Sequence, residues 1–125
     1  MPNRTARPSP TAELAQDPPD IATMRASARR LLTEDAKPIG SEQLETLRLT
    51  LRGQLQLLIP LVEAMTLGLP KDDIPRACAL ACTREASTRL RLGTGDYPPV
   101  RMSVAMKLAR SVNALGDHYG NLGRP

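Results

Sequence analysis

The chain has 125 residues, the size of a single domain, and 41% of them are hydrophobic, yet it contains no Phe or Trp and only two Tyr. Its core must therefore be aliphatic, and no apolar run reaches the ~20 residues that cross a bilayer, which argues against a membrane-spanning protein. The formal net charge is +4, and residues 74–125 hold eight basic and three acidic side chains, which makes an acidic partner for this half conceivable. Two cysteines without an apolar export signal predict a cytoplasmic protein with reduced thiols.

The start of the chain predicts a tail. Five of the first 19 residues are Pro, a composition that favours a disordered or extended chain. The predicted organisation is a Pro-rich tail over residues 1–19, a helical domain over 20–122 and a short tail over 123–125.

Helix one begins near Asp17 or Asp20, either of which can cap it, and ends before Pro38. Helix two is capped by Ser41 and runs to about Leu67. Its apolar residues recur at steps of three and four: Leu44, Leu47, Leu51, Leu55, Leu58, Val62, Met65 and Leu69.

Pro60 lies inside helix two. Because an interior proline removes one backbone hydrogen bond and clashes with the preceding turn, we expect a kink at Pro60, near residues 56–57. The apolar stripe stays in register across Pro60, which favours one kinked helix over two separate helices.

Helix three begins where an Asp cap precedes a proline, at Asp73 and Pro75, and it runs to Leu92. It is rich in small side chains: Ala77, Cys78, Ala79, Ala81, Cys82 and Ala86. Because small side chains let helix backbones approach one another, we expect this helix to make the closest helix contacts.

Helix four follows a loop over residues 93–99 and runs from about Val100 to His118 or Tyr119, where two glycines loosen its end. Its expected solvated face carries Lys107, Arg110, Ala114, Asp117 and Asn121. Helices joined by short links pack antiparallel to their neighbours. The predicted fold class is therefore all-α, an up-and-down bundle of about four helices.

Glu85 interrupts the apolar pattern of helix three. A helical wheel places it on the most apolar arc, among Ile74, Cys78, Ala81 and Leu92. A buried, unpaired carboxylate is costly or becomes protonated, so Glu85 needs an explanation. It can pair with Arg89 on the surface, pair with Arg48 or Arg52 of helix two, or serve as a functional acid. We accordingly predict Arg48, Arg52 and Arg89 as ligand or partner contacts.

His118 is the only histidine and lies at the edge of the packed face of helix four. A half-buried histidine that closes the end of the bundle is the simpler interpretation. If the chain is an enzyme, its pocket lies between helices three and four. Glu85 and His118 would then act as acid and base, and Tyr119 as a hydrogen-bond donor.

Cys78 and Cys82 lie one helical turn apart. Tetrahedral zinc needs four ligands, or three and a water, and only His118 and carboxylates remain to complete such a set. An intrahelical disulfide would be strained. We therefore predict no metal site and interpret both cysteines as buried packing residues. Residues 93–95, Gly-Thr-Gly, are too short a signal for nucleotide binding, so no cofactor is predicted.

Three stretches carry a resemblance to a known family: RGQLQLLIPLVEAM from Arg52, LPKDDIPRACALACTREASTRLRLG from Leu69, and KLARSVNALGDHYGNL from Lys107. Together they resemble a small actinobacterial family of unknown function whose members are commonly labelled natural-product biosynthesis proteins. The resemblance covers roughly residues 20–122. It implies an actinobacterial cytosolic protein near secondary metabolism, and it supplies no catalytic residue.

Three functions stay open, and the first is preferred. Leucine stripes with few acid–base groups favour a non-catalytic accessory or regulatory protein that docks a helix face on a partner protein or on a second copy, as a homodimer. The second is a small cofactor-independent biosynthetic enzyme. The third is a weak nucleic-acid binder, for which a denser basic stripe or stacking aromatics would be usual. Its candidate contacts are Arg76, Arg84, Arg89, Arg91, Arg101, Lys107 and Arg110.

Overall fold

The computed structural model describes residues 18–33, 37–95 and 97–123. Within these ranges the chain forms four helices and no strand: α1 (Ile21–Leu32), α2 (Ser41–Thr66), α3 (Ile74–Leu90) and α4 (Pro98–Leu122). The predicted all-α fold class is confirmed. None of the described helices is long and apolar enough to cross a membrane. The predicted tail up to residue 17 and the last two residues lie outside the described part of the chain.

Aspartate side chains begin two of the helices, as the sequence predicts. The backbone N–H of Thr23 donates to Asp20 Oδ1 over 3.0 Å, and the Thr23 hydroxyl donates to Oδ2 over 2.7 Å. These two bonds, the backbone one first, lower the pKa of Asp20. Asp73 accepts from the Arg76 N–H over 2.9 Å, and Pro75 occupies the first turn of α3. Each carboxylate satisfies one of the four N–H groups that a helix start leaves unpaired.

The predicted cap of α2 is wrong by one position. Ser41 is the first helical residue, and Gly40 occupies the cap position without a side-chain hydrogen bond. The Gly40 N–H instead faces the side chain of Gln43, with an N–Oε1 distance of 3.5 Å. Ser41 thus lies one residue beyond the cap position, where its hydroxyl could accept a hydrogen bond from an N–H group of the first turn.

Pro60 lies within one continuous α2, so the preference for one helix over two is confirmed. Both Pro60 and Gln56, whose carbonyl loses its partner to the proline, lie on the exposed side of the helix. Water can satisfy that carbonyl, which is why the helix tolerates the proline. The predicted end of helix four at His118 or Tyr119 is three or four residues too early: α4 runs through Gly116, which is buried beside Ile21 of α1, and ends at Leu122.

The four helices form an up-and-down bundle in which α2 and α4 run parallel as the central, diagonal pair. Their starts share one cavity, lined by Leu44 and Met102, and at their other ends Met65 Cε lies 3.6 Å from the place of a Cβ at Gly123. The contact between α2 and α4 is the most extensive in the bundle, with α1 and α3 packed along its two sides. The shorter α3 packs less extensively on α2 and α4 than these two pack on each other, and the expectation that it makes the closest helix contacts stays a prediction.

The core is aliphatic, as the composition requires. The largest fully buried apolar side chains come from α2 and α4 alone: Leu51, Leu55, Leu58, Val62, Leu108, Val112 and Leu115. One chain therefore buries most of the leucine stripes of its own two long helices, and apart from Leu49 on α2 its exposed large apolar side chains lie at helix ends and in the loops.

Candidate functional site

The structure moves Glu85 from the predicted apolar arc to the surface. Its side chain is 60% exposed, and its Oε2 lies 3.6 Å from Nη2 of Arg89, one turn further along α3. The face of α3 that is buried carries Ala79, Thr83 and Ala86. This face lies about a third of a turn around the helix from Glu85. Of the three interpretations of Glu85, the structure therefore supports the surface pair with Arg89. The arc of α3 that the helical wheel placed in the core, with Ile74, Cys78 and Ala81, faces solvent.

His118 and Tyr119 are both half-buried near the end of α4, and Tyr119 packs against the core. The described cavities are lined by other residues, so the structure does not gather Glu85, His118 and Tyr119 around any of them. Their roles as acid, base and hydrogen-bond donor stay predictions.

Arg48 binds within its own helix. Its Nε and Nη2 donate to the two carboxylate oxygens of Glu45 over 2.8 and 2.7 Å, and its side chain is only 12% exposed. The hydrogen bonds from Arg48, with a smaller contribution from the charge of Arg101, lower the pKa of Glu45. Because both carboxylate oxygens of Glu45 hold the guanidinium, the half-buried Arg48 is a positive charge in one fixed geometry near the start of α2.

Arg52 and Arg89 fasten the C-terminal part of α3 to the central pair. Arg52 Nη1 donates to the carbonyl of Leu90, the last residue of α3, over 2.6 Å. Arg89 Nη1 donates to the Lys107 carbonyl over 3.1 Å and to the Ser111 hydroxyl over 3.0 Å, both on α4. The last carbonyls of a helix lack helical partners and carry partial negative charge, so an arginine at this position is favourable. These contacts are internal to the chain.

One ion pair was missed by the sequence analysis. Asp117, which we expected on a solvated face, accepts from Arg25 Nη2 of α1 over 2.6 Å. Both side chains reach solvent, so the pair orients α1 on α4 more than it stabilises the fold. The two residues are 92 positions apart, and no local pattern links them.

The cysteines are less buried than predicted. Cys78 is exposed and Cys82 is half-buried, and both are free thiols. Burial, followed by the charge of Glu85, raises the pKa of Cys82. Within the described ranges no three His, Cys, Asp or Glu side chains are grouped so that they could hold a metal ion.

A cavity of about 150 Å³, which no sequence pattern indicated, lies where α2 and α4 begin. Its charged lining consists of Glu45 and Arg48 from α2 and Arg101 from α4. A second, open groove of about 590 Å³ runs between α1 and the first half of α2, and polar residues outnumber Ile39 and Leu47 in its lining. Both lie away from the predicted pocket between helices three and four.

The loop after α3 positions Arg101 at this cavity. Gly95 has a φ of +93°, and a Cβ there would lie 2.6 Å from Cγ1 of Val100, so only glycine fits. The carbonyl of Gly95 accepts from Arg101 Nε over 3.1 Å. Thr94 of the same loop lines the cavity. A glycine before a helix, with an arginine six residues on, is the only local signal that could have indicated this arrangement.

One family model matches the chain over residues 22–124, and its description is Family of unknown function (DUF6415). The chain belongs to this family. The match begins within α1 and extends past the end of α4, so the DUF6415 family corresponds to the whole bundle and not to a local motif. No curated protein and no solved structure matches the chain. The expected membership of a family of unknown function is confirmed, while the actinobacterial origin and the natural-product label stay predictions.

Proposed function

We propose that this protein is a non-catalytic helical accessory or regulatory protein that acts through protein contacts, with a second copy of the chain as the first partner to test. Its association with actinobacterial natural-product biosynthesis is part of the proposal and depends on sequence resemblance. The helix faces first expected to dock are used internally, since the leucine stripes form the core and Arg52 and Arg89 bind neighbouring helices. The contact surface must therefore lie elsewhere.

The α2–α3 turn is the surface that supports the proposal. Leu67 and Ile74, at its two ends, are 84% and 75% exposed, and Pro70 and Pro75 are exposed as well. Single exposed apolar residues are ordinary, but here several occur within nine consecutive residues. This concentration of accessible apolar side chains is the observation on which the proposal depends.

The turn is also well ordered by its own hydrogen bonds. The Leu69 N–H donates to the Thr66 carbonyl, and the Asp73 N–H donates to the Pro70 carbonyl, each over 3.1 Å. Asp73 then caps α3. A surface that is already held in one conformation loses little entropy on binding, so its apolar side chains can contribute more of their burial energy to association.

The test compares the solution mass of the wild type with that of a Leu67→Gln, Ile74→Gln double variant by light scattering over a concentration series. Burial of one Leu or Ile side chain contributes about 1.5–3 kcal/mol, so loss of both should raise the dissociation constant more than about tenfold. The matched control is Leu49→Gln, which removes a 54% exposed leucine from the middle of α2 and should leave the mass unchanged.

A wild type that stays monomeric at every concentration would contradict the homodimer. Contact with another protein would then be tested in cells of the source organism, with a photo-crosslinking residue placed at position 67 or, as the control, at position 49. A defined adduct from position 67 alone would support the accessory role. If neither position gives an adduct, the proposal is wrong.

The nucleic-acid alternative has less support from the geometry. It requires the basic side chains of the second half to be available to phosphates, and Arg89 is instead engaged with Lys107 and Ser111. A gel-shift experiment at low salt tests it, because phosphate contacts make affinity fall steeply as salt is raised.

A further inference from the structure

The cavity at the start of α2 and α4 combines two arginines with one carboxylate. Arg48 is fixed by both oxygens of Glu45, and Arg101 approaches from α4 with its Nε bound to the Gly95 carbonyl. Among the described residues, no hydrogen bond is made by the two terminal nitrogens of Arg101. The three side chains carry a net charge of +1, which matches a single negative charge on a ligand.

The helix termini add to this positive field. Both α2 and α4 begin at the cavity, where Ser41 and Pro98 line it, and neither start has a side-chain cap. The aligned peptide dipoles place partial positive charge at each N-terminus, which favours an anion there, and α2 offers more free N–H groups than α4, because α4 begins with Pro98 and Pro99. This contribution has the same sign as the arginine charges, and it opposes the carboxylate of Glu45.

The remaining wall of the cavity is apolar, with Ile39, Leu44 and Met102 among its lining residues. Leu44 is buried and the other two are half-buried, so this wall belongs to the packed interior. An apolar cavity of roughly this volume can hold one benzene molecule, so a fitting ligand has about six to eight non-hydrogen atoms. A fully polar ion would leave the apolar wall without a partner.

We propose that this cavity binds a small organic monocarboxylate that carries a short branched or cyclic apolar group. The carboxylate lies against the terminal nitrogens of Arg101, whose planar fork matches its two oxygens. The apolar group contacts Leu44 and Met102. Glu45 disfavours a doubly charged anion such as inorganic phosphate. This assignment is independent of the proposed contacts of the α2–α3 turn, which lies at the opposite end of α2.

The experiment is calorimetric titration of the full chain with isovalerate, with its neutral amide, and with inorganic phosphate, in a low-chloride buffer. Isovalerate should bind saturably. The amide should bind at least about tenfold more weakly, because it offers the guanidinium of Arg101 no charged acceptor. Phosphate should be weaker by a similar factor, because it has no apolar group to contact the apolar wall. Arg101→Gln should weaken isovalerate binding by a similar factor. Arg110→Gln, an exposed arginine further along α4, is the matched control and should bind as the wild type does.

A second variant changes affinity in the opposite direction. Glu45→Gln removes the carboxylate that neutralises Arg48, so isovalerate should bind more tightly and phosphate should begin to bind. If the cavity does not hold the carboxylate, Glu45→Gln should leave isovalerate binding unchanged. The proposal would be overturned by no saturable binding of isovalerate up to about 10 mM, by equal binding of the amide, by Arg101→Gln binding isovalerate as tightly as the wild type, or by no gain in isovalerate affinity in Glu45→Gln. Preferential binding of phosphate would reassign the cavity to inorganic anions and likewise overturn it.

Discussion

The α2–α4 pair and α3 are held in the bundle by different means. The pair is joined by long aliphatic side chains with no accessible surface, such as Leu55 and Leu58. α3 buries only small or polar side chains, Ala79, Thr83 and Ala86. It is fastened to α2 and α4 by arginine hydrogen bonds at its C-terminal end, while the aspartate cap at its start stabilises the helix itself. Where burial of large apolar groups is scarce, directional polar contacts determine how a helix sits.

If the α2–α4 pair tolerated the loss of a buried leucine, large aliphatic side chains would not be what holds this pair together. Leu58→Ala should lower the free energy of unfolding by about 2–5 kcal/mol, because a fully buried side chain leaves a cavity that the close-packed pair cannot fill. Urea denaturation followed by circular dichroism measures this. Leu67→Ala removes the same atoms from an exposed position and should change the free energy of unfolding by less than about 0.5 kcal/mol. Similar losses in both variants would mean that the α2–α4 contact is not the dominant core.

The attachment of α3 is tested at Arg89. Arg89→Met keeps most of the aliphatic stem but loses the bonds to Lys107 and Ser111, and it should lower the free energy of unfolding by about 1–3 kcal/mol. Glu85→Gln removes only the surface ion pair and should cost at most about 0.5 kcal/mol. Equal effects in the two variants would show that Arg89 acts through Glu85 and not through α4.

The cap of α3 should have a smaller effect. Asp73→Ala removes the acceptor of the Arg76 N–H and should lower the free energy of unfolding by about 1 kcal/mol. Asp72→Ala, one residue earlier and exposed, removes the same charge without the cap and serves as the control. If both variants lost the same stability, charge near the helix start and not the hydrogen bond would explain the effect.

The modification rates of the two thiols of α3 report how firmly the helix is packed, and measuring them requires no substitution that changes stability. Near neutral pH, iodoacetamide should modify the exposed Cys78 several times faster than Cys82, since burial both covers Cys82 and raises its pKa, which lowers its thiolate fraction. Mass spectrometry of timed samples gives the two rates, and in concentrated urea they should converge. Equal rates in buffer would indicate that α3 opens frequently.

The sequence predicts the fold well where apolar side chains are large. The stripe of α2 has leucines or valines at nearly every core position, so its buried face and its passage through Pro60 could be predicted. On α3 the faces differ by little more than Ala against Cys or Thr. The exposed Ile74, and Leu92, which lies beyond the end of the helix, shifted the apparent apolar arc toward Glu85. Weak contrast between faces, and not a failure of periodicity, explains the error.

For the candidate sites, too, the sequence indicated what is local and not what depends on tertiary contacts. Arg48, Arg52 and Arg89 were predicted as ligand or partner contacts, whereas the structure shows them bound within the chain to a carboxylate three residues away and to carbonyls on other helices. The cavity beside Arg101 was not predicted, because its lining comes from two helices and a loop that are far apart in the chain. Local spacing contains no information about such neighbours.

The sequence by itself determined that this protein is a four-helix, aliphatic bundle with aspartate caps at α1 and α3, because helix periodicity, capping and the absence of large aromatics are properties of short stretches. Only the tertiary structure decided which face of α3 is buried, that α2 and α4 form the central pair, and that Arg101 joins Arg48 at a cavity. These outcomes depend on contacts between residues dozens of positions apart. Their energies become defined only when the helices pack.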